Sequence, residues 1–269
     1  IDREEFDYVR CCTCDFKFKS PEIPEEALLD CYARAQGDRW GHKIDPIERN
    51  FDRIAKAIQD FYAGGRILDI GCSNGEFLRF LPDQWAKYGI EPSTEAAEIA
   101  ISSGIEILSS TLDGLRDQDK FDAIVAMDVM EHLPSPLTFI NQVASHLSPG
   151  GIFIVTTGNT DAWSWRLQKS QYWYCASFPE HVSFYNKESI KALSAKAGLE
   201  LSSFGTMSYK RTSLSRRVSQ NIKGTAFGVG RATNWFGLPP LKRKFKTRAG
   251  TNWASANDHM IAVMQKPQN

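Results

Sequence analysis

The sequence predicts an α/β fold with a doubly wound, mostly parallel sheet of seven strands. Short apolar strand candidates alternate with helical segments and tight turns, a pattern typical of parallel sheets covered by helices on both faces. One candidate, Phe121 to Met127, is almost entirely apolar and therefore fits a strand buried on both sides. At 269 residues the chain is long enough for one large domain of this kind with additional segments.

The stretch from Arg66 to Gly75 is the most informative part of the chain. Arg66 to Ile70 predicts a short buried strand, and Gly71 to Gly75 predicts a tight turn that opens a helix. Glycines in such a turn let the backbone approach a ligand, and the free N–H groups of the helix face it. Ser73 follows Cys72, so the pattern is Asp-x-Gly-x-x-x-Gly rather than the G-x-G-x-x-G of dinucleotide sites.

The remaining elements follow in order along the chain. Asp45 as N-cap, Pro46 at the first helical position and Glu48 predict a helix ahead of the first strand. Further strands are expected at Gln84 to Ile90, Ile105 to Leu108, Phe121 to Met127, Ile152 to Thr157 after the turn Ser148 to Gly151, Leu201 to Met207, and His259 to Gln265; helices are expected from Ser93 to Ser103 and from Asn186 to Gly198.

This succession of motifs resembles the core of the class I S-adenosylmethionine (SAM) dependent methyltransferases over roughly residues 64 to 200. The resemblance implies a Rossmann-like methyltransferase sheet, with SAM as cofactor and S-adenosylhomocysteine as product. A carboxylate at the tip of the second strand can accept both ribose hydroxyls. The resemblance assigns cofactor binding to Asp69, Gly71, Cys72, Gly75, Glu91, Pro92, Thr111, Leu112, Met127 and Asp128.

Glu131 and His132 follow the fourth strand and are expected to open a helix, where an acidic side chain favours the positive end of the dipole. Structural and functional roles remain open for both, and no catalytic role is assigned to His132.

The methyl acceptor is expected beyond the fifth strand, where aromatic residues suit a lid over a sugar, a ring or an apolar substrate. The Pro-x-His-x-x-x-Tyr block around His181 is similar to that of small-molecule and sugar methyltransferases. His181 is the candidate general base, because an imidazole can take a hydroxyl proton at neutral pH. The alternative is a histidine that only holds the lid. Candidate substrate contacts are Asn159, Trp173 and Tyr185.

Composition and cysteine usage predict a cytoplasmic protein. Hydrophobic residues make up 42% and charged residues 24% of the chain, an ordinary globular balance. No apolar run reaches the roughly 18 to 20 residues of a membrane span, and no signal peptide pattern opens the sequence. Cys11 and Cys14 form one Cys-x-x-Cys, half of a tetrahedral zinc site, which an upstream pair would have to complete. No metal site is therefore predicted.

One segment is strongly basic. Residues 201 to 257 contain no Asp or Glu but eleven Lys and Arg residues, interleaved with aromatic and aliphatic side chains. A solvated basic face is one explanation; the others are an anionic substrate, an anionic membrane surface or RNA. No recognisable RNA-binding module is present. The predicted organisation is an N-terminal extension at 1–44, the core at 45–208, the basic insertion at 209–257 and the last strand at 258–269.

The sequence thus predicts a methyltransferase that acts on a small or lipid-linked, anionic acceptor, with a sugar in polysaccharide or glycoside biosynthesis ranked first. The alternative is a quinone-ring or other aromatic O-methyltransferase at the membrane surface, to which the core is also similar. An RNA methyltransferase and a catalytically inactive scaffold rank lower. The sequence does not fix the acceptor atom or the oligomeric state.

Overall fold

The computed structural model describes residues 7–20, 28, 50–168, 181–209, 211, 213–234 and 257–268, and all structural statements below concern these residues. The elements follow one another as β1 Asp7–Arg10, β2 Lys17–Ser20, α1 Phe51–Gln59, β3 Gly65–Ile70, α2 Glu76–Phe80, β4 Trp85–Ile90, α3 Thr94–Ser102, β5 Glu106–Ser109, β6 Phe121–Met127, α4 Pro136–His146, β7 Leu147–Gly158, α5 Trp163–Gln168, β8 Ser183–Phe184, α6 Lys187–Lys196, β9 Glu200–Met207, α7 Leu214–Asn234 and β10 His259–Gln265.

The central sheet has seven strands in the order β5-β4-β3-β6-β7-β10-β9. Strands β3 to β7 pair in parallel, and β10 runs antiparallel to both of its neighbours. The predicted mostly parallel, seven-stranded α/β sheet is therefore confirmed. The order reverses between β3 and β6, which opens a crevice at the carboxyl ends of these strands.

Two hydrophobic clusters cover the two faces of the sheet. Ile54 and Ile58 of α1 pack on one face, and Phe139 and Ile140 of α4 pack on the other. Successive residues of β6 alternate between the clusters, because side chains on a strand point to opposite faces in turn. This double coverage explains why β6 is apolar along almost its whole length.

A second, three-stranded sheet has the order β1-β2-β8. Strand β2 pairs antiparallel with β8, so Lys17 lies opposite Phe184. Lys17 also donates to the hydroxyl of Thr160, and the Asn186 side chain donates to Asp15. Residues 7–20 of the predicted N-terminal extension are therefore tied directly to the core.

Helix α1 begins at Phe51, after Asn50 at φ 64°, whereas the predicted cap Asp45 lies outside the described residues. Two local predictions were wrong. Strand β7 begins at Leu147, because the turn expected at 148–151 is an irregularity inside the strand: Phe121 faces Leu147, but Ala123 faces Ile152. Glu131 and His132 lie in a 3₁₀ turn, Met130–His132, and helix α4 starts only at Pro136.

Helix α7 forms the first part of the predicted basic insertion. Leu214, Val218 and Ile222 lie on this helix at intervals of four residues and are 77%, 50% and 64% exposed. Four-residue spacing places them on one face. Within the described residues, no helix combines the length and apolar character that crossing a membrane requires.

Candidate active site

The predicted cofactor residues converge at the carboxyl ends of four adjacent strands. Asp69 lies near the end of β3 with no exposed surface, and Glu91 follows β4. Leu112 lies in a 3₁₀ turn after β5, and Asp128 follows β6. Since β5, β4, β3 and β6 are neighbours in the sheet, the chain brings these residues to one edge.

The glycine turn after β3 is tied to the end of β4. The backbone N–H groups of Gly71 and Cys72 both donate to the carbonyl of Ile90, at 2.8 and 3.1 Å. Glu91 accepts the N–H of Ser73 at one oxygen and that of Ser93 at the other, each at 2.8 Å. The Glu91 carboxylate thus fixes the position of the glycine turn relative to the start of α3.

Gly75 needs to be glycine for two reasons. Its φ of 75° is rarely adopted by residues with a side chain, and an added Cβ would lie 2.9 Å from the Ile105 side chain. Ser73 adopts a φ of 50° in the same turn without being glycine. Such backbone strain is often found at ligand-binding sites.

The Cys72 side chain contributes to the core rather than to the ligand face. It is 4% exposed, and a Cβ on Gly89 would lie 2.5 Å from its sulfur. Burial, reinforced by the charges of Asp69 and Glu91, raises the pKa of Cys72 well above its usual value. A contact between Cys72 and the cofactor is therefore restricted to its backbone.

Asp128 is the second strained residue of the site. It has a φ of 54°, and its N–H donates to the carbonyl of Thr156 at 2.9 Å. One carboxylate oxygen lies 3.8 Å from Nε2 of His259, which is 1% exposed and lies 3.3 Å from Asp258 through Nδ1. Burial lowers the pKa of His259, but the charges of Asp258, Asp128 and Glu131 outweigh this effect and raise the pKa overall.

A partly buried cluster of ionisable side chains, which the sequence analysis did not assemble, lies between the turn after β6 and the segment before β8. Glu131 is 1% exposed and accepts the Thr157 hydroxyl at 2.8 Å. The rings of His132 and His181 are 4.8 Å apart, centre to centre. One ligand atom each of Glu131, His132 and His181 lies within 4.8 Å of the others. The signal in the sequence was the position of Glu131 and His132 a few residues after β6.

The other predicted substrate contacts differ in their surroundings. Asn159 forms a bridge with Tyr185 at the end of β7, and its side chain accepts the N–H of Asp161. Tyr185 has no exposed surface, and its hydroxyl donates to the carbonyl of Met130 at 2.9 Å. This burial argues against direct substrate contact by Tyr185. Its hydrogen bond instead holds the turn that contains Met130. Trp173 lies outside the described residues.

The arrangement fits SAM. Carboxylates at the strand ends match a cofactor that carries ribose hydroxyls and a positive sulfonium. The glycines of the turn let the backbone approach this cofactor closely. These carboxylates belong to Asp69, Glu91 and Asp128.

Comparison with known proteins agrees with the fold. Residues 40–203 match the family model described as a methyltransferase domain. The chain is 30% identical over 227 residues to a ubiquinone biosynthesis O-methyltransferase of Xanthomonas axonopodis pv. citri, covering 73% of this chain and 91% of that protein. It is 31% identical over 142 residues to the protein of the same name from Bradyrhizobium sp. strain ORS 278, covering 47% of this chain but only 56% of that protein.

Two solved structures share the fold. The N-methyltransferase NodS of Bradyrhizobium japonicum WM9, in complex with S-adenosylhomocysteine, is 15% identical, with a TM-score of 0.55 and coverage of 89% of this chain and 96% of NodS. Magnesium protoporphyrin IX methyltransferase of Synechocystis PCC 6803, also with S-adenosylhomocysteine, is 13% identical, with a TM-score of 0.58 and coverage of 90% and 100%. The fold, the strand-end site and the family match agree, and the chain belongs to the methyltransferase-domain family as a class I SAM-dependent methyltransferase.

Proposed function

We propose that the chain methylates a ring hydroxyl of a quinone precursor. The observation that carries this proposal is the 30% identity to the Xanthomonas ubiquinone biosynthesis O-methyltransferase across 91% of that protein. The sequence analysis ranked a sugar acceptor first and an aromatic ring second. The curated relatives support the second of these readings.

Different residues would bind the cofactor and position the acceptor. SAM supplies an electrophilic methyl group on a sulfonium when it is bound. Glu91 would hold the ribose, and Asp69 with the backbone of Gly71 would hold the methionine end. His181 and Asn159 would position the acceptor hydroxyl. Positioning supplies much of the rate in such a displacement.

Helix α7 supports a location at an anionic membrane. Leu214, Val218 and Ile222 expose one apolar stripe, and Lys223, next to Ile222, is exposed as well. The surrounding sequence, residues 201 to 257, contains no acidic residue. An apolar stripe bordered by basic residues is typical of helices that lie in the lipid interface. A prenylated ring would be presented there.

The test is the transfer of tritium from methyl-labelled SAM into three separate pools: a hydroxylated, prenylated aromatic ring, a nucleotide-sugar mixture and RNA. We expect label on a ring oxygen. Label confined to the sugar or RNA pool would overturn the proposal. The His181→Ala variant should lose turnover and keep its SAM affinity, whereas unchanged turnover would remove His181 from the acceptor side.

A further inference from the structure

Three side chains of the types that bind metals lie close together between the turn after β6 and the segment before β8. Glu131 and His132 come from the 3₁₀ turn after β6, and His181 comes from the segment just before β8. Their ligand atoms all lie within 4.8 Å of one another. Among the described residues, this is the group of histidine, cysteine and carboxylate side chains that is close enough to hold a cation.

The backbone holds the two segments in register. The N–H of Val182 donates to the carbonyl of Glu131 at 2.8 Å, and the Ser183 hydroxyl donates to that of Leu133 at 2.6 Å. The Tyr185 hydroxyl adds the bond to Met130 at 2.9 Å. Three hydrogen bonds over four residues therefore fix His181 relative to Glu131 and His132. A cation at this place would bind to a largely preformed site.

The distances match a metal site that is slightly open. Bonds from nitrogen or oxygen to a divalent transition metal are about 2.1 Å long, so two ligands of one ion lie at most about 4.2 Å apart. The widest pair would have to approach by at most about 0.6 Å. The Thr157 hydroxyl occupies one oxygen of Glu131 and orients the carboxylate, as supporting residues do around metal ligands.

We infer that Glu131, His132 and His181 bind a divalent transition-metal cation, which holds and activates the acceptor hydroxyl. Two imidazoles and one carboxylate leave open positions on the ion, as in metal sites that bind substrate. This role rests on the proposed function. The bound hydroxyl loses its proton to solvent, its oxygen forms the bond to the methyl carbon, and the carbon–sulfur bond breaks with its electron pair remaining on sulfur.

As a metal ligand, His181 has a different role from that of a general base. If His181 acted alone as a base, His132 would be dispensable. If the three residues hold a cation, loss of any one of them weakens metal binding and turnover together. His132 therefore separates the two roles.

The first experiment measures metal binding to the full chain after treatment with a chelator and dialysis. Mn²⁺ is the probe, because Cys11, Cys12 and Cys14 are free thiols and soft thiolates favour zinc over manganese. We expect one tight Mn²⁺ site by electron paramagnetic resonance titration. Glu131→Gln, His132→Gln and His181→Gln should each weaken it about ten-fold or more, since each removes one of three protein ligands. Glu98→Gln makes the same chemical change on exposed α3 and should have no effect.

SAM affinity serves as the folding control, since a variant that still binds SAM retains the core. Unaltered Mn²⁺ binding in all three SAM-binding variants, or no binding to the parent chain, would overturn the inference. The second experiment measures ring methylation with and without Mn²⁺. Ring methylation that persists in the presence of chelator and in His132→Gln would refute the role of the metal ion while leaving the proposed function intact. Mn²⁺ binding that depends on the three residues, without any ring methylation, would support the site and refute the proposed acceptor.

Discussion

At the residue scale, Glu91 links the cofactor turn to the next helix. Its two oxygens accept the N–H groups of Ser73 and Ser93, and the carboxylate is only partly buried. A carboxylate oxygen has two lone pairs, so each can accept a second hydrogen bond from a ribose hydroxyl. Glu91 therefore shapes the turn and is available to bind the cofactor as well.

We expect Glu91→Gln to weaken SAM binding by about 10- to 100-fold, because hydrogen bonds to a charged partner contribute about 1.5–3 kcal/mol. Isothermal titration calorimetry measures the dissociation constant. Glu95→Gln, on the exposed side of α3, is the matched control and should bind SAM like the parent chain. Equal affinity in both variants would exclude Glu91 from the ribose site.

Cys72 and Cys12 should react differently with an alkylating reagent. Cys72 is buried, and burial together with the charges of Asp69 and Glu91 raises its pKa, whereas Cys12 is exposed. Since the thiolate is the reactive form, iodoacetamide at pH 8 should modify Cys12 in the native protein and Cys72 only after denaturation. Peptide mapping by mass spectrometry records both sites. Rapid native modification of Cys72 would show that this turn opens to solvent.

At the scale of elements, helix α6 combines a capping function with a long-range contact. Asn186 accepts the N–H of Ser189, and Ser189 accepts the N–H of Asn186, so the predicted cap is a reciprocal capping box. The same Asn186 side chain donates to Asp15, which lies in the hairpin formed by β1 and β2. One residue thus begins a helix and anchors a distant segment.

Asn186→Ala should lower the free energy of unfolding by about 1–2 kcal/mol, the usual effect of removing a cap, since the Asp15 contact is lost as well. Urea denaturation provides the measurement. Asn186→Ser keeps a capping hydroxyl but not the donor to Asp15, so it should be destabilised less. If the two variants were equally unstable, the cap would contribute nothing.

Replacing Leu214, Val218 and Ile222 together by serine should abolish co-sedimentation with vesicles that contain anionic lipid, because it removes the apolar stripe of α7. The parent chain should bind such vesicles less strongly as salt increases, since screening weakens the attraction. Substitution of exposed Ile99 and Ile101 of α3 by serine is the control. Vesicle binding unchanged by the α7 substitutions would place the membrane contact elsewhere.

The sequence predicts a strand boundary well where the apolar run itself ends there. It fails where pairing with a strand distant in the sequence extends the strand. The bounds of β6 and β10 agree with the sequence prediction, because their apolar runs end abruptly. The start of β7 was missed, since Pro149 and Gly150 are typical of a turn but lie inside the strand, where its pairing with β6 is irregular. The cluster of Glu131 with His181 was missed because hydrogen bonds between segments fifty residues apart create it.

At the scale of the whole molecule, a bound cofactor stabilises the folded state. A ligand that binds only the folded chain adds about 2.7 kcal/mol at 100 times its dissociation constant. For a chain of this size, SAM at that ratio should raise the melting temperature by roughly 5–10 °C. Differential scanning fluorimetry checks this, with Glu91→Gln at the same SAM concentration as control. No shift at saturating SAM would contradict the assigned cofactor site.

The pairing of β2 with β8 has a consequence for how the protein folds. Asp15 and Asn186, which bond across this junction, are 171 positions apart, and Lys19 donates its N–H to Val182 beside His181. Contacts of such sequence separation form late, because closing a long loop costs entropy before the contact compensates for it. During synthesis the β1–β2 hairpin is made before β8, so it remains without its partner strand until Ser183 and Phe184 have been added. The strand ends that carry Asp69, Glu91 and Asp128 precede β8 in the chain, so these residues can assemble before β2 and β8 pair and bring His181 into place.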